Sequence, residues 1–267
     1  MSVDTVQVEN AGPLLVVDNV SKKFGGVLAL SAVSLEVNRG DIVGIIGPNG
    51  SGKTTLVNTI TGFIRPDRGR ILFKGGDITS WSPNKIADLG LTRTFQVMRP
   101  YYSLPAFKNL IVPLFSPRAR RTGGWRGGWK MGSRDTVAVD ILEEIGFERD
   151  SYVPYKVASS LPTGYLKRLE LARCLALRPE VIICDEVLSG LSMSEMASMV
   201  PLVEKLQMEG ITLIMVEHRL RELFRLATRV VVLNFGCKIA EGTSEEVMEY
   251  KEVKEAYFGS EEVYSYV

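Results

Sequence analysis

Gly47-Pro48-Asn49-Gly50-Ser51-Gly52-Lys53-Thr54-Thr55 follows directly on the apolar run Ile42-Val43-Gly44-Ile45-Ile46. The spacing fits G-x-x-x-x-G-K-[ST], a loop that wraps a nucleotide's phosphates between a strand and a helix. Backbone N–H groups left open by the glycines point at phosphate oxygens, and the helix beginning at Lys53 adds the positive end of its dipole. Lys53 is placed to reach the β- and γ-phosphates, and the Thr54 hydroxyl to ligate Mg²⁺. A strand before and a helix after set this loop apart from a glycine-rich turn of no chemical meaning. The chain is therefore read as binding ATP or GTP.

The 267 residues are 45% hydrophobic, enough for a sizeable core. Lys and Arg number 32 against 31 Asp and Glu, a net charge of +1 that gives no support to nucleic acid or a strongly charged partner, and no nucleic acid is expected. No apolar run is long enough to span a bilayer, and the first residues lack the charged and apolar regions of a signal peptide. Cys174, Cys184 and Cys237 sit in mostly apolar sequence without metal-ligand spacing, and read as reduced core residues.

The chain reads as a lead over 1–12, a main domain over 13–258 and a tail over 259–267. Leu14–Val17 and Ser31–Val37 suggest strands of an antiparallel flap, Ile42–Ile46 a buried strand and Lys53–Ile60 a helix, with strands at Arg70–Phe73 and Leu91–Phe95. From about 97 to 175 the patterns are helical, at Ala106–Val112, Thr136–Ile145 and Thr163–Leu177, which suggests a helical subdomain inserted into the core. Strand and helix then alternate: Val181–Cys184, Met193–Met208, Ile211–Val216, Val230–Leu233. The expected fold is α/β, a parallel nucleotide-binding core with an antiparallel flap.

Asp185-Glu186 ends the strand Val181–Cys184, at the sheet edge where the phosphate loop lies. Asp185 suits Mg²⁺, and Glu186, one residue on, can polarise a water for attack on the γ-phosphate. His218, the single histidine, ends the next strand in Val216-Glu217-His218 and could position that water. Gln96, in Thr94-Phe95-Gln96, could join Mg²⁺ and water through its amide and act as a hinge. The stretch 117–134 carries six basic residues, no acid, and Trp125 and Trp129. It reads as a solvated loop or as a contact for a membrane protein's loops or anionic headgroups, with RNA binding a weaker alternative because one basic loop on a neutral chain is a small electrostatic footprint.

This set, in this order, resembles the nucleotide-binding subunit of an ATP-binding cassette (ABC) transporter over roughly residues 14 to 258. The resemblance implies ATP and Mg²⁺ as ligands. It makes Phe24 the aromatic that stacks on adenine, Gly47–Thr55 the Walker A loop, Gln96 the Q-loop, Asp185-Glu186 the Walker B end, Ser189–Ser192 the D-loop and His218 the switch histidine. Such subunits close head to tail on two ATP molecules, each site completed by the partner's signature motif. Here Leu161-Pro162-Thr163-Gly164 occupies the signature position, with Pro162 for a serine, Tyr165 for a glutamine and, in the D-loop, Ser192 for an aspartate. Proline suits a first helical position, so the helix N-terminus survives. The lost hydroxyl removes a hydrogen bond to a charged group, about 1.5–3 kcal/mol, or roughly 10- to 150-fold. Thr163 offers a substitute hydroxyl.

A heterodimer with an intact partner would keep the site on Lys53, Glu186 and His218 fully equipped, whereas a homodimer would carry the defect twice. A heterodimer is therefore expected. Thr94-Phe95-Gln96, Leu169–Arg173, Val216-Glu217-His218 and the tail around Ala256-Tyr257-Phe258-Gly259 look like the ATPases of branched-chain amino acid uptake systems. That likeness implies membrane permease subunits, an external binding protein and a place on the cytoplasmic face of the membrane. Importers of urea, amides or aromatic acids would look much alike. Two rival readings are a soluble cassette protein of translation or DNA repair, whose second cassette or long coiled coil is missing here, and a regulatory subunit that barely hydrolyses. The retained Glu186 and His218 argue against the latter.

Overall fold

The computed structural model describes residues 12–121 and 134–258. Strands β1 (Leu15–Phe24), β2 (Val27–Val37) and β3 (Ile42–Ile46) lead into helix α1 (Lys53–Ile60). Next come β4 (Arg68–Phe73), β5 (Gly76–Asp77), α2 (Pro83–Leu89) and β6 (Leu91–Arg93). Helices α3 (Ile111–Leu114), α4 (Pro117–Arg121), α5 (Arg134–Glu144) and α6 (Thr163–Ala176) follow, with 3₁₀ turns at Phe107–Leu110, Val153–Tyr155 and Ala158–Ser160. The last part runs β7 (Val181–Asp185), α7 (Met193–Met208), β8 (Thr212–Val216), α8 (Leu220–Leu226), β9 (Arg229–Asn234), β10 (Cys237–Gly242), α9 (Ser244–Glu249) and α10 (Lys251–Phe258).

Two sheets result. One is antiparallel in the order β2-β1-β4-β5, and the other runs β10-β9-β3-β8-β7-β6. In the second, β9, β3, β8, β7 and β6 are parallel and β10 pairs antiparallel at the edge. Every residue of β3, β7 and β8 is buried, as a parallel sheet covered on both faces requires. Alternate residues feed two separate cores. Ile42 and Ile46 of β3, Ile182 of β7 and Leu213 of β8 pack with α5, α6 and α7. Val43, Ile45, Ile183 and Ile214 pack with α1 and the antiparallel sheet. The central sheet thus holds the flap on one face and the helical layer on the other, and its strand ends carry the site.

Several expectations need correction. β1 and β2 are longer than their patterns suggested, because bulges between Val17 and Lys23 break the period of two and Asn19 turns left-handed at φ 51°. The single helix expected at Ala106–Val112 is instead a 3₁₀ turn followed by the short α3. Buried Asn109 is engaged with the main chain of Tyr101 and Pro105, and Pro113 has no N–H to give. Of the three cysteines, Cys174 and Cys184 are buried but Cys237 is exposed, at the start of the edge strand β10. Elements β5, α2, α4, α8, β10, α9 and α10 were not read from the sequence; α4 makes the start of the basic stretch, expected as a loop, a helix whose Arg118 donates to the carbonyls of Leu89 and Arg178. Trp125 and Trp129, the lead before Gly12 and the tail after Phe258 lie outside the described residues. Among the described residues no helix is long and apolar enough to cross a membrane.

Candidate functional site

Buried β3 delivers the chain to Gly47, whose φ of 151° is outside the usual range of side-chain-bearing residues. A Cβ there would stand 2.1 Å from the Leu233 carbonyl oxygen, so only glycine lets the loop lie against β9. Gly52, at φ 106°, caps α1 with no side-chain hydrogen bond, leaving the helix's first N–H groups without a side-chain acceptor. The Lys53 ammonium folds back on the loop it serves, donating to the carbonyls of Gly47 at 2.7 Å and Pro48 at 3.0 Å. Burial lowers its pKa, and Glu186 and Asp185 oppose that shift. The Ser51 hydroxyl is buried with no partner, an orphan that an anion in the loop would satisfy. Thr54 is exposed on the first turn of α1, with Thr55 half-buried beside it.

Asp185 closes β7, and burial raises its pKa while Arg93 opposes the shift. Arg93 Nη2 donates to it at 2.9 Å and the Asp185 N–H donates to Thr94 Oγ1 at 3.0 Å. Arg93 is itself fixed by Asn58 Oδ1 at 2.6 Å and lies over the Phe63 and Phe95 rings, at 5.6 and 4.9 Å. Glu186 then turns left-handed at φ 53°, its N–H bonded to the Val216 carbonyl of β8 at 2.8 Å. That turn swings its carboxylate to Gln96 and His218. Gln96 Nε2 donates to Glu186 Oε1 at 2.9 Å, and His218 Nε2 lies 3.2 Å from the same oxygen. Three residues expected to act together thus meet at one atom.

The donors fit a magnesium nucleotide. Mg²⁺ takes hard oxygens, often one or two carboxylates with substrate phosphates and waters. The Thr54 hydroxyl and the Asp185 carboxylate are such donors, and Gln96, turned to Glu186 through its Nε2, also carries an amide oxygen. No group of three His, Cys, Asp or Glu side chains that could hold a metal occurs among the described residues.

Phe24 ends β1 with 46% of its surface exposed and Lys22 Nζ 5.6 Å from the ring centroid. Its hairpin partner β2 passes the loop, since a Cβ on Gly52 would meet Ala29 O at 2.7 Å. The residues at the signature position stand apart: among the described residues no hydrogen bond or ion pair joins Leu161–Gly164 to Gly47–Thr55. Leu161 is buried, Pro162 and Thr163 are exposed, and Pro162 caps α6. Tyr165 packs against Phe147, ring centroids 5.0 Å apart, within the helical layer. The Gly164 N–H donates at 3.2 Å to Glu195 Oε1, while Glu195 Oε2 accepts from the Ser192 N–H at 2.9 Å and hydroxyl at 2.8 Å.

Sequence reasoning missed Arg93, Asn58 and Glu195, and also α10, whose Glu252 and Glu255 line a groove of about 460 Å³ beside Pro48–Ser51. Arg93 lies one residue upstream of Thr94-Phe95-Gln96, and nothing in the sequence signals its pairing with Asp185.

Residues 30–189 match the family described as ABC transporter. The chain is 35% identical to a probable branched-chain amino acid transport ATP-binding protein LivG of Archaeoglobus fulgidus, over 93% of this chain and 96% of that protein. It is 34% identical to the high-affinity branched-chain amino acid transport ATP-binding protein BraF of Pseudomonas aeruginosa, covering 92% and 98%. Among solved structures, a nucleotide-free ATP-binding cassette from an ABC transporter superposes with a TM-score of 0.81 at 32% identity, covering 93% of this chain and all of that one. An ADP conformation of such a cassette gives 0.80 at 33% identity, covering 93% and 99%. The chain belongs to the ABC transporter family.

Proposed function

We propose that this chain is the ATP-hydrolysing, nucleotide-binding subunit of an ABC importer for branched-chain or other hydrophobic amino acids. The observation that carries hydrolysis is the Glu186 carboxylate oxygen met by both Gln96 and His218. In this reading Phe24 stacks on adenine and Gly47–Thr55 wraps the phosphates, with Lys53 exchanging the carbonyls of Gly47 and Pro48 for phosphate oxygens. Thr54, Asp185 and the Gln96 amide oxygen would hold Mg²⁺, which would supply positive charge against the phosphates. Glu186 accepts the proton of the water attacking the γ-phosphorus, and the bond to the β,γ-bridging oxygen breaks. His218 and Gln96 hold Glu186 and that water in line.

The same reading places the chain on the cytoplasmic face of the membrane, beside permease subunits and at one remove from an external binding protein. Support for the cargo comes from the names of the relatives above. Movement at Gln96 passes to the helical insertion over about 97–175. Its exposed Tyr101, Tyr102, Tyr152 and Tyr155 offer a surface for a permease. Leu161–Gly164 meets the ATP of a second, different ATPase subunit. Mg-ATP hydrolysis by the purified chain, with and without that partner, tests the reading: Glu186→Gln is expected to lower kcat about 10²- to 10⁴-fold with ATP still bound. Turnover unchanged by Glu186→Gln would refute it.

A further inference from the structure

Glu186 holds a backbone conformation that non-glycine residues seldom adopt, at φ 53°. Such a conformation persists only when its surroundings over-determine it. Its N–H is fixed by Val216 O at 2.8 Å and its carboxylate by Gln96 and His218. The remaining group, its carbonyl, accepts a hydrogen bond at 2.5 Å from the ammonium of Lys167. Lys167 belongs to α6, one helical turn after Thr163, and only 8% of it is exposed. A buried ammonium needs partners, because burial penalises its charge. Burial does lower its pKa, with the carboxylates of Glu217 and Glu186 opposing the shift and Arg219 adding to it. Glu217 is 1% exposed and is fixed by the Leu188 N–H at 2.7 Å.

We propose that Lys167 is a positioning residue for hydrolysis: from the helix that opens at Thr163, it clamps the Glu186 carbonyl and thereby sets the left-handed turn that presents the Glu186 carboxylate. The proposal rests on the role of Glu186 given above and adds a consequence. The helix whose N-terminus meets the partner's nucleotide is tied by one hydrogen bond to this chain's own general base. A shift of α6 therefore reaches the Glu186 peptide directly, without passing through the phosphate loop.

The test uses the purified chain with its partner ATPase and compares Lys167→Met, Lys167→Arg and Lys167→Met combined with Glu186→Gln. Lys167→Met is expected to lower kcat about tenfold or more with KM for ATP within about twofold, and Lys167→Arg, which keeps a charged donor, to recover most of the loss. In the Glu186→Gln background Lys167→Met is expected to change the residual rate by less than about twofold, since it acts through the missing carboxylate. Amide exchange over residues 186–188 should quicken about tenfold in Lys167→Met while that of α1 stays unchanged. Pairing Lys167→Met with Glu217→Gln removes both buried charges and keeps the kinetic comparison open if the single variant folds poorly. A kcat within about twofold of wild type, a loss repeated in full without Glu186, or unchanged exchange at 186–188 would overturn the assignment. The hydrolysis reading itself stands or falls on Glu186→Gln alone, so the two failures are told apart.

Discussion

A methyl group added at Gly47 would meet main chain, the Leu233 carbonyl oxygen at 2.1 Å, whereas one added at Gly164 would meet the end of a side chain, Glu195 Oε1 at 2.4 Å. The phosphate loop is shaped by backbone, wedged between β9 and β2 and backed by strands buried at every position. The signature end is shaped by a carboxylate that can rotate away. In the proposed reading, one anion seat is preorganised by the fold, and the other is adjustable. The substitutions follow the same division: Gly47–Thr55 fits its motif fully, while Pro162 and Tyr165 depart from theirs.

Breaking the rigid end should have the largest effect. Arg93→Met strands the Asp185 carboxylate in the core, and unfolding in urea should register a loss of about 3–5 kcal/mol. Gly47→Ala combines steric overlap with backbone strain and should cost about 3 kcal/mol, visible as a lowered melting temperature and lost ATP binding.

Restoring the adjustable end gives the next effect. Pro162→Ser returns a hydroxyl donor and should tighten ATP-dependent closure with the partner roughly 10- to 150-fold, measured as dimer formation in a Glu186→Gln background.

Glu217 probes the rigid end through pH. Burial pushes its carboxyl up to about 7 from an ordinary 4.5, so the native chain holds this proton more tightly than the unfolded one. Its contribution is then present at low pH and lost as pH rises from 4.5 through about 7. Glu217→Gln mimics the protonated form and keeps an acceptor for Leu188. It should match wild type near pH 4 and exceed it by on the order of 2 kcal/mol at pH 8. The smallest effect belongs to Gly164→Ala, where Glu195 gives way with partial loss of its capping hydrogen bonds to Ser192, at about 1 kcal/mol. A loss there as large as that at Gly47 would erase the distinction drawn between the two ends.

Legibility in the sequence follows range. β3, β7 and β8 were plain because each is a short apolar run ended by glycine or acid, and the helix Met193–Met208 matches its pattern to the residue. Helix α2 carried signals that went unread: Ser82-Pro83 at its start and Gly90, φ 112°, at its end. Edge strand β10 is half polar and leaves little periodic trace. Gln96, Glu186 and His218 were placed through their motif positions, but the Arg93–Asp185 pair spans 92 residues and rests on a fold not yet known. Cys237 was misjudged because it opens an edge strand just after a turn, where its apolar neighbour Phe235 is itself exposed.

Strand β3 stands between β9 and β8 in the central sheet, and both neighbours come from residues after Ile211. On the ribosome, then, the nucleotide loop emerges early with α1 and the antiparallel sheet beside it, but β3 has no strand to pair with until β8 and β9 follow, on the order of tens of seconds later at ordinary elongation rates. Pairings this distant in sequence form slowly. Until the last strands emerge, both edges of β3 (Ile42–Ile46) are left unpaired, the kind of exposed edge that invites wrong pairing in an unfinished chain.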